Sequence, residues 1–327
     1  MRRRDFVAGL GVAAAWSLAA RAEQPERTRH IGVLIFAAED DPVTATRTAA
    51  LRDGLQQLGW TEGVNLRIDY RFGAADPARL NSHAEELVRL APDVIVAGAA
   101  PATRAVQRLT QTIPIVFVEA TNEVGYGLTG NLARSAPNAT GITNLYLAIG
   151  ARWVELLREA APRVARIGLL FNPEFDSRGY LAAIDAAADA YHVKAIRIAA
   201  RNAEEIDRSI RAFAAKPNGG LVVVPPTPAF ADVAMLFRLT AKYRLPAIYP
   251  TRGFAGAGGL MAYGPDSADL FRESASYVDR ILRGALPGDL PVGFPTKFDL
   301  IINLSAARAI GLEIPRSLVS RAAEVIK

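Results

Sequence analysis

The residues whose types and spacing suggest chemistry are acidic. Glu39-Asp40-Asp41 follows the first apolar run, Glu85-Glu86 and Glu204-Glu205 are adjacent pairs, and Glu119 and Glu123 flank Thr121 and Asn122. Two carboxylates held close can act as general acid and base when their environments push their pKa values apart. Glu85-Glu86 and Glu204-Glu205 fall within amphipathic helical patterns, however, where paired charges form a solvated face. Partners for acid–base or nucleophilic work are also missing from the pattern. His30, His83 and His192 are scattered without H-x-x-x-H spacing, and the chain has no cysteine, no G-x-S-x-G elbow and no Walker lysine. Gly253, Gly256, Gly258 and Gly259 precede a strand-like segment rather than a helix, which predicts a loop and not a nucleotide cradle. The expectation is a chain with no catalytic residue, no metal site and no cofactor.

The elements that must position the remaining polar residues alternate. Apolar strands are predicted at His30–Phe36, Asn65–Phe72, Asp93–Ala97 and Ile113–Val118, with helices from about Pro42 to Leu58, from Pro77 to Leu90 and from Pro101 to Thr110. The order repeats with near-constant spacing: strands Arg166–Phe171, Val193–Ala199, Gly220–Val224 and Pro246–Tyr249, helices Arg178–Tyr191, Ala203–Ala215 and Ala229–Tyr243. Strands alternating with helices specify a doubly wound parallel sheet, so the fold class is α/β with two such lobes. A further strand at Leu260–Tyr263, helix Ser267–Arg283, strand-like Pro295–Leu304 and helix Ser305–Ile310 exceed what one lobe needs, and predict more than one crossover between lobes. Ile113–Tyr146 links the two halves, with a turn at Asn138-Ala139-Thr140 and a crossover at Gly141–Asn144.

In open parallel sheets ligands sit outside the carboxyl ends of the strands. That rule selects Glu39, the Gly98–Thr103 turn with its exposed helix N–H groups, and Glu119, Thr121 and Asn122 in the first half. In the second half it selects Asn172, Thr227, Tyr249 and Arg252, the last suited to a bidentate carboxylate.

The 327 residues suffice for two cores, and half of them are hydrophobic. Of the net charge of +5, the first 22 residues carry +3 through Arg2, Arg3, Arg4 and Arg21 less Asp5. The remaining +2 offers no footprint for nucleic acid. That first segment reads as a twin-arginine-like signal peptide: Arg3-Arg4-Asp5-Phe6-Val7, an apolar run to Ala20, and Ala20-Arg21-Ala22 for cleavage near Ala22/Glu23. An ordinary secretory signal is the alternative, and either route predicts a periplasmic protein.

Several collinear motifs carry a resemblance to a known group. They are IGVLIF, Asp53–Asn65 (DGLQQLGWTEGVN), DVIVA before Pro101 and Thr103, IPIVF, Val124–Leu128, Asn138–Thr143, RIGLLFNP, Tyr263–Asp266 (YGPD) and the carboxyl-terminal PTKFDLIINL. On these the chain resembles the TrpX-like substrate-binding proteins of ABC transporters, with a type I periplasmic binding protein fold, from about Ile31 to the end. The resemblance implies a small organic ligand, amino-acid-like or with a carboxylate or aromatic part, bound between lobes and delivered to ABC permease membrane subunits, without nucleic acid and as a monomer. It carries over Ala37 and Glu39, Ala100 and Thr103, Glu119, Thr121 and Asn122, and Asn172, Thr227 and Tyr249 as ligand-binding positions. Hinges are expected at Thr143 and Asn144 and at Tyr263 and Gly264. The chain departs from the family in having Thr121-Asn122-Glu123-Val124 where T-D-P-V is usual, so an ammonium on the ligand would need Glu119 or Glu123. The expected domains are 23–142 with about 265–295, and 143–264 with about 296–327. A ligand-presenting sensory protein and an exported hydrolase or isomerase using Glu119 or Glu123 are the alternative readings.

Overall fold

The structure, a computed structural model, describes residues 28–120, 137–144, 146–174, 177–225 and 233–327. Arg29–Ile35 (β1), Leu66–Phe72 (β2), Val94–Gly98 (β3), Ile115–Ala120 (β4) and Ala139–Thr143 (β5) form one sheet in the order β2-β1-β3-β4-β5. Every neighbouring pair is parallel, with Ile31 opposite both Ile68 and Val94. Alternate side chains of a strand point to opposite faces. From Ile31 onward β1 is apolar because both faces are covered: Ile31, Val33 and Ile35 join one core cluster and Leu34 another. Helices Pro42–Gln57 (α1), Pro77–Arg89 (α2) and Ala100–Gln107 (α3) cross between these strands. The first two open on Asp-Pro, where Asp41 and Asp76 accept first-turn N–H groups and proline takes a position whose N–H would lack a helical partner.

Helix Ile149–Ala160 (α4) leads into the second sheet. There Arg166–Phe171 (β6), Lys194–Ala199 (β7), Gly219–Val223 (β8), Ala247–Tyr249 (β9), Met261–Pro265 (β10), Phe298–Asn303 (β11) and Glu324–Ile326 (β12) lie in the order β12-β11-β10-β9-β8-β6-β7. Helices Arg178–Ala190 (α5), Ala203–Ala214 (α6), Val233–Lys242 (α7) and the short Arg252–Gly256 (α8) connect its strands. This sheet is not wholly parallel. β11 runs antiparallel to β10, with Met261 opposite Ile302 and Pro265 opposite Phe298, because it enters from a crossover at the carboxyl end of β10 and can only run back.

Helix Ser267–Leu282 (α9) follows β10 of the second sheet yet packs on the first, where Leu270, Phe271, Ala275 and Val278 share a core with Ile31 and Leu51. The chain thus passes between sheets after β5, after β10 and before β11. These passages are tied together. Thr143 N–H donates to Gly293 O at 3.0 Å, Gly293 N–H to Gly141 O at 2.9 Å, and Asp266 N–H to Lys297 O at 3.1 Å. All three leave or meet the carboxyl ends of parallel strands, so these passages border the same edge of both lobes. Two expectations change here. Asn138–Thr140 and Gly141–Thr143 are not turn and crossover alone: Ala139–Thr143 is the fifth strand of the first lobe, an edge of that sheet. The Gly-rich segment after β9 begins as helix α8.

Candidate functional site

At the carboxyl edge of the first sheet, β1 delivers Ala37 and Glu39. Ala37 is half-buried, and its carbonyl accepts the Ala74 N–H at 3.2 Å. Glu39 lines an open groove of about 600 Å³ together with Asp40, Tyr70, Phe72 and Arg79. Arg71 and His83 in its wall both face Glu86, at 2.8 and 3.5 Å.

β3 is followed by Ala99, whose φ of 72° and ψ of 159° lie where glycine alone is at ease. That turn starts α3 with no side-chain cap. Ala100 is buried beside it. Thr103 is fully buried, and its hydroxyl donates to Ala99 O at 3.1 Å, closing the first turn.

The last residue but one of β4 is Glu119, which has φ of 59° where the pairing with β5 shifts by one residue. The bulge aims its carboxylate at α1 and α9. Arg47 Nη2 stands 2.8 Å from Oε2, Ser267 Oγ donates to Oε1 at 2.5 Å, and Arg47 Nε donates to the same hydroxyl at 2.5 Å. Glu119 is therefore a structural anchor between the strand end and the first residue after the β10–α9 crossover. Arg47 and Ser267, which the sequence reading does not select, complete it. Thr121, Asn122 and Thr227 lie outside the described residues.

In the second lobe β6 delivers Asn172, buried, with Oδ1 accepting the Glu174 N–H at 3.0 Å. Tyr249 is the last residue of β9. Its ring has no exposed surface, lies stacked on Phe254 with centroids 5.2 Å apart and meets Phe237 edge-on at 5.5 Å. It belongs to the core behind β9, and burial drives its phenol well above the ordinary value. Arg252 is half-exposed and is paired with Glu324 of β12, so its guanidinium already has a carboxylate.

The residues expected to act as hinges lie along the crossovers. Thr143 Oγ1 donates to Ala120 O at 2.7 Å, tying β5 to the residue beside Glu119. Asn144 follows it, half-buried. Tyr263 O accepts from Trp153 Nε1 at 2.8 Å, and its ring stacks on Phe298 at 5.8 Å, which meets Tyr146 at 5.0 Å. Burial raises the Tyr263 phenol while Arg152, its guanidinium 6.0 Å from the ring, opposes the shift. Gly264 is obligatory, because a Cβ there would lie 2.0 Å from Pro250 O. Asp266 caps α9 and meets Lys297 Nζ at 2.5 Å. No helix among the described residues is long and apolar enough to cross a membrane.

Two α/β lobes, joined by three passages along one carboxyl edge, define a two-lobed binding protein of the type I periplasmic class. Residues 30–326 match the family model for ABC transporter substrate binding protein, and the chain belongs to that family. Among its relatives is a tyrosine-binding protein of Clostridioides difficile (strain R20291), 24% identical over 266 residues, which are 79% of this chain and 74% of that one. A conserved domain protein from Vibrio cholerae O1 biovar eltor superposes with a TM-score of 0.75 at 27% identity, covering 91% of this chain and 100% of that one. An ABC domain in complex with L-Trp from Streptococcus pneumonia gives 0.76 at 24% identity, with the same coverage.

Proposed function

We propose that this chain is the periplasmic solute-binding component of an ABC importer. It takes a small organic ligand, amino-acid-like or bearing a carboxylate or aromatic part, at the edge shared by the two lobes, and hands it to the permease. The observation that carries the reading is that three passages meet at the carboxyl ends of both sheets, where an open α/β sheet binds its ligand. The acids placed there support capture rather than turnover. Glu119 is engaged by Arg47 and Ser267, and Asp266 by Lys297, so neither stands ready as a base. The tyrosine in the name of one relative and the L-Trp bound to another support the ligand class. The lobe boundaries in this reading are 23–142 with about 265–295, and 143–264 with about 296–327, and export removes the first 22 residues.

Titration calorimetry of the purified chain against pooled amino acids and pooled aromatic acids tests it. Saturable binding of one component, recovered chemically unchanged, is expected. Absence of binding in every pool, or conversion of the bound component, would contradict the reading. Amino-terminal sequencing of the exported protein should begin at Glu23.

A further inference from the structure

We propose that the amino end of α5, with the hydroxyl of Ser177, is the seat of the ligand's carboxylate. The proposal rests on the reading of the shared edge as a small-ligand site. α5 starts beyond the carboxyl end of β6, where the second sheet reverses its order between β6 and β8. The first N–H groups of a helix have no partners within it, and they concentrate positive potential at that end.

At five other helices such groups are taken, while α3, α4 and α8 share the lack of a side-chain cap. Asp41, Asp76, Asn202, Asp266 and Asn303 each accept from the first turn of their helices. At α5 the N-cap residue Ser177 makes no cap bond, and the first turn carries no acidic side chain. Ser177 is also 2% exposed, and its hydroxyl has no hydrogen-bond partner. A buried hydroxyl without a partner is costly, and its burial keeps bulk water from serving instead. An acceptor with two oxygens satisfies the hydroxyl and the helix N–H groups together, which is what a carboxylate supplies.

The turn is firmly built for that task. Tyr180 is buried and stacks on Trp153 of α4 with ring centroids 5.7 Å apart, and Asn172 turns the chain by accepting the Glu174 N–H. Glu174 itself is exposed and faces Arg201, 3.9 Å away.

Titration calorimetry of the full chain with acid–amide pairs tests the seat, using L-tryptophan against L-tryptophanamide and phenylacetate against phenylacetamide. The unmodified chain should prefer acid over amide by roughly tenfold or more, because hydrogen bonds to an ionised group are about twice as strong as neutral ones. Ser177→Ala removes a hydroxyl with no partner in the protein, so Tm should be unchanged while the preference falls by roughly tenfold. Ser177→Asp supplies the chain's own carboxylate to the helix end and should abolish acid binding with the circular dichroism spectrum unaltered. An acid preference that survives both substitutions, or amides that bind as well as acids, overturns the seat and leaves the ligand-binding reading in place. Failure of every probe to bind the unmodified chain counts against both.

Discussion

Glu119 shows how a strand-end acid can be spoken for. Its backbone sits at φ of 59°, a cost that persists only where surroundings over-determine it. Here Arg47 and Ser267 do so, both within 2.8 Å of the carboxylate. Glu119→Gln leaves Arg47 partly buried without its counter-charge, and urea unfolding should show a loss of about 1–3 kcal/mol. Tyr249 makes a second prediction at this scale. Tyr249→Ala should cost about 3–5 kcal/mol through the cavity it opens, whereas Tyr249→Phe should leave ligand affinity, measured by calorimetry, unchanged. The sequence places both residues at a strand end, and that much is legible. Which way a side chain turns is not: Ile248 faces the cluster around α4 and Tyr249 the one behind β9, a choice set by the period of two once neighbouring helices are known. The partner of Arg252 could not be foreseen either, because Glu324 lies on a short terminal strand with little apolar pattern.

At the scale of elements, the contact between α1 and α9 determines which lobe α9 serves. Trp60 Nε1 donates to Asp279 at 2.8 Å, and Gly54 lets the helices approach so closely that a Cβ there would stand 2.7 Å from Arg272 O. Gly54→Val should therefore overpack the contact and destabilise the protein by about 1–3 kcal/mol, read as a lower urea midpoint. Long apolar strands and capped helices of both lobes are legible because their signals are local: Asp41-Pro42 and Asp76-Pro77 announce α1 and α2 directly. β5 is not, since Ala139-Thr-Gly-Ile-Thr143 is short and small, and becomes a strand only by pairing with β4. α4 does carry a readable stripe, Ile149, Trp153, Val154, Leu157 and Ala160 recurring at three and four residues. Strand–helix alternation alone does not bring it out, because it lies in the link between the lobes.

For the whole molecule, the lobes share three passages, and Asp266 joins two of them through Lys297. Burial alone would raise the Asp266 carboxyl, but Lys297 and the N–H groups of Asp269 and Ala268 hold it below its ordinary 3.8. The unfolded chain therefore takes up the proton more readily, so the contribution is present above pH 3.8 and lost as pH falls through the lower folded value. Asp266→Asn keeps a capping side chain and loses the ion pair. Its deficit, up to about 1 kcal/mol at neutral pH, should vanish in urea unfolding carried out in acid below that range. Two lobes, their order and the presence of several crossovers were legible from repeated strand spacing. The tie between crossovers was not, as Gly141 with Gly293 and Asp266 with Lys297 meet only after both sheets form. In the proposed function a solute is captured between these lobes. Small-angle X-ray scattering of the full chain, with and without a saturating aryl acid or aromatic amino acid that binds in titration, tests it most directly. A smaller radius of gyration on saturation is predicted, and an unchanged scattering profile at full occupancy would contradict the account.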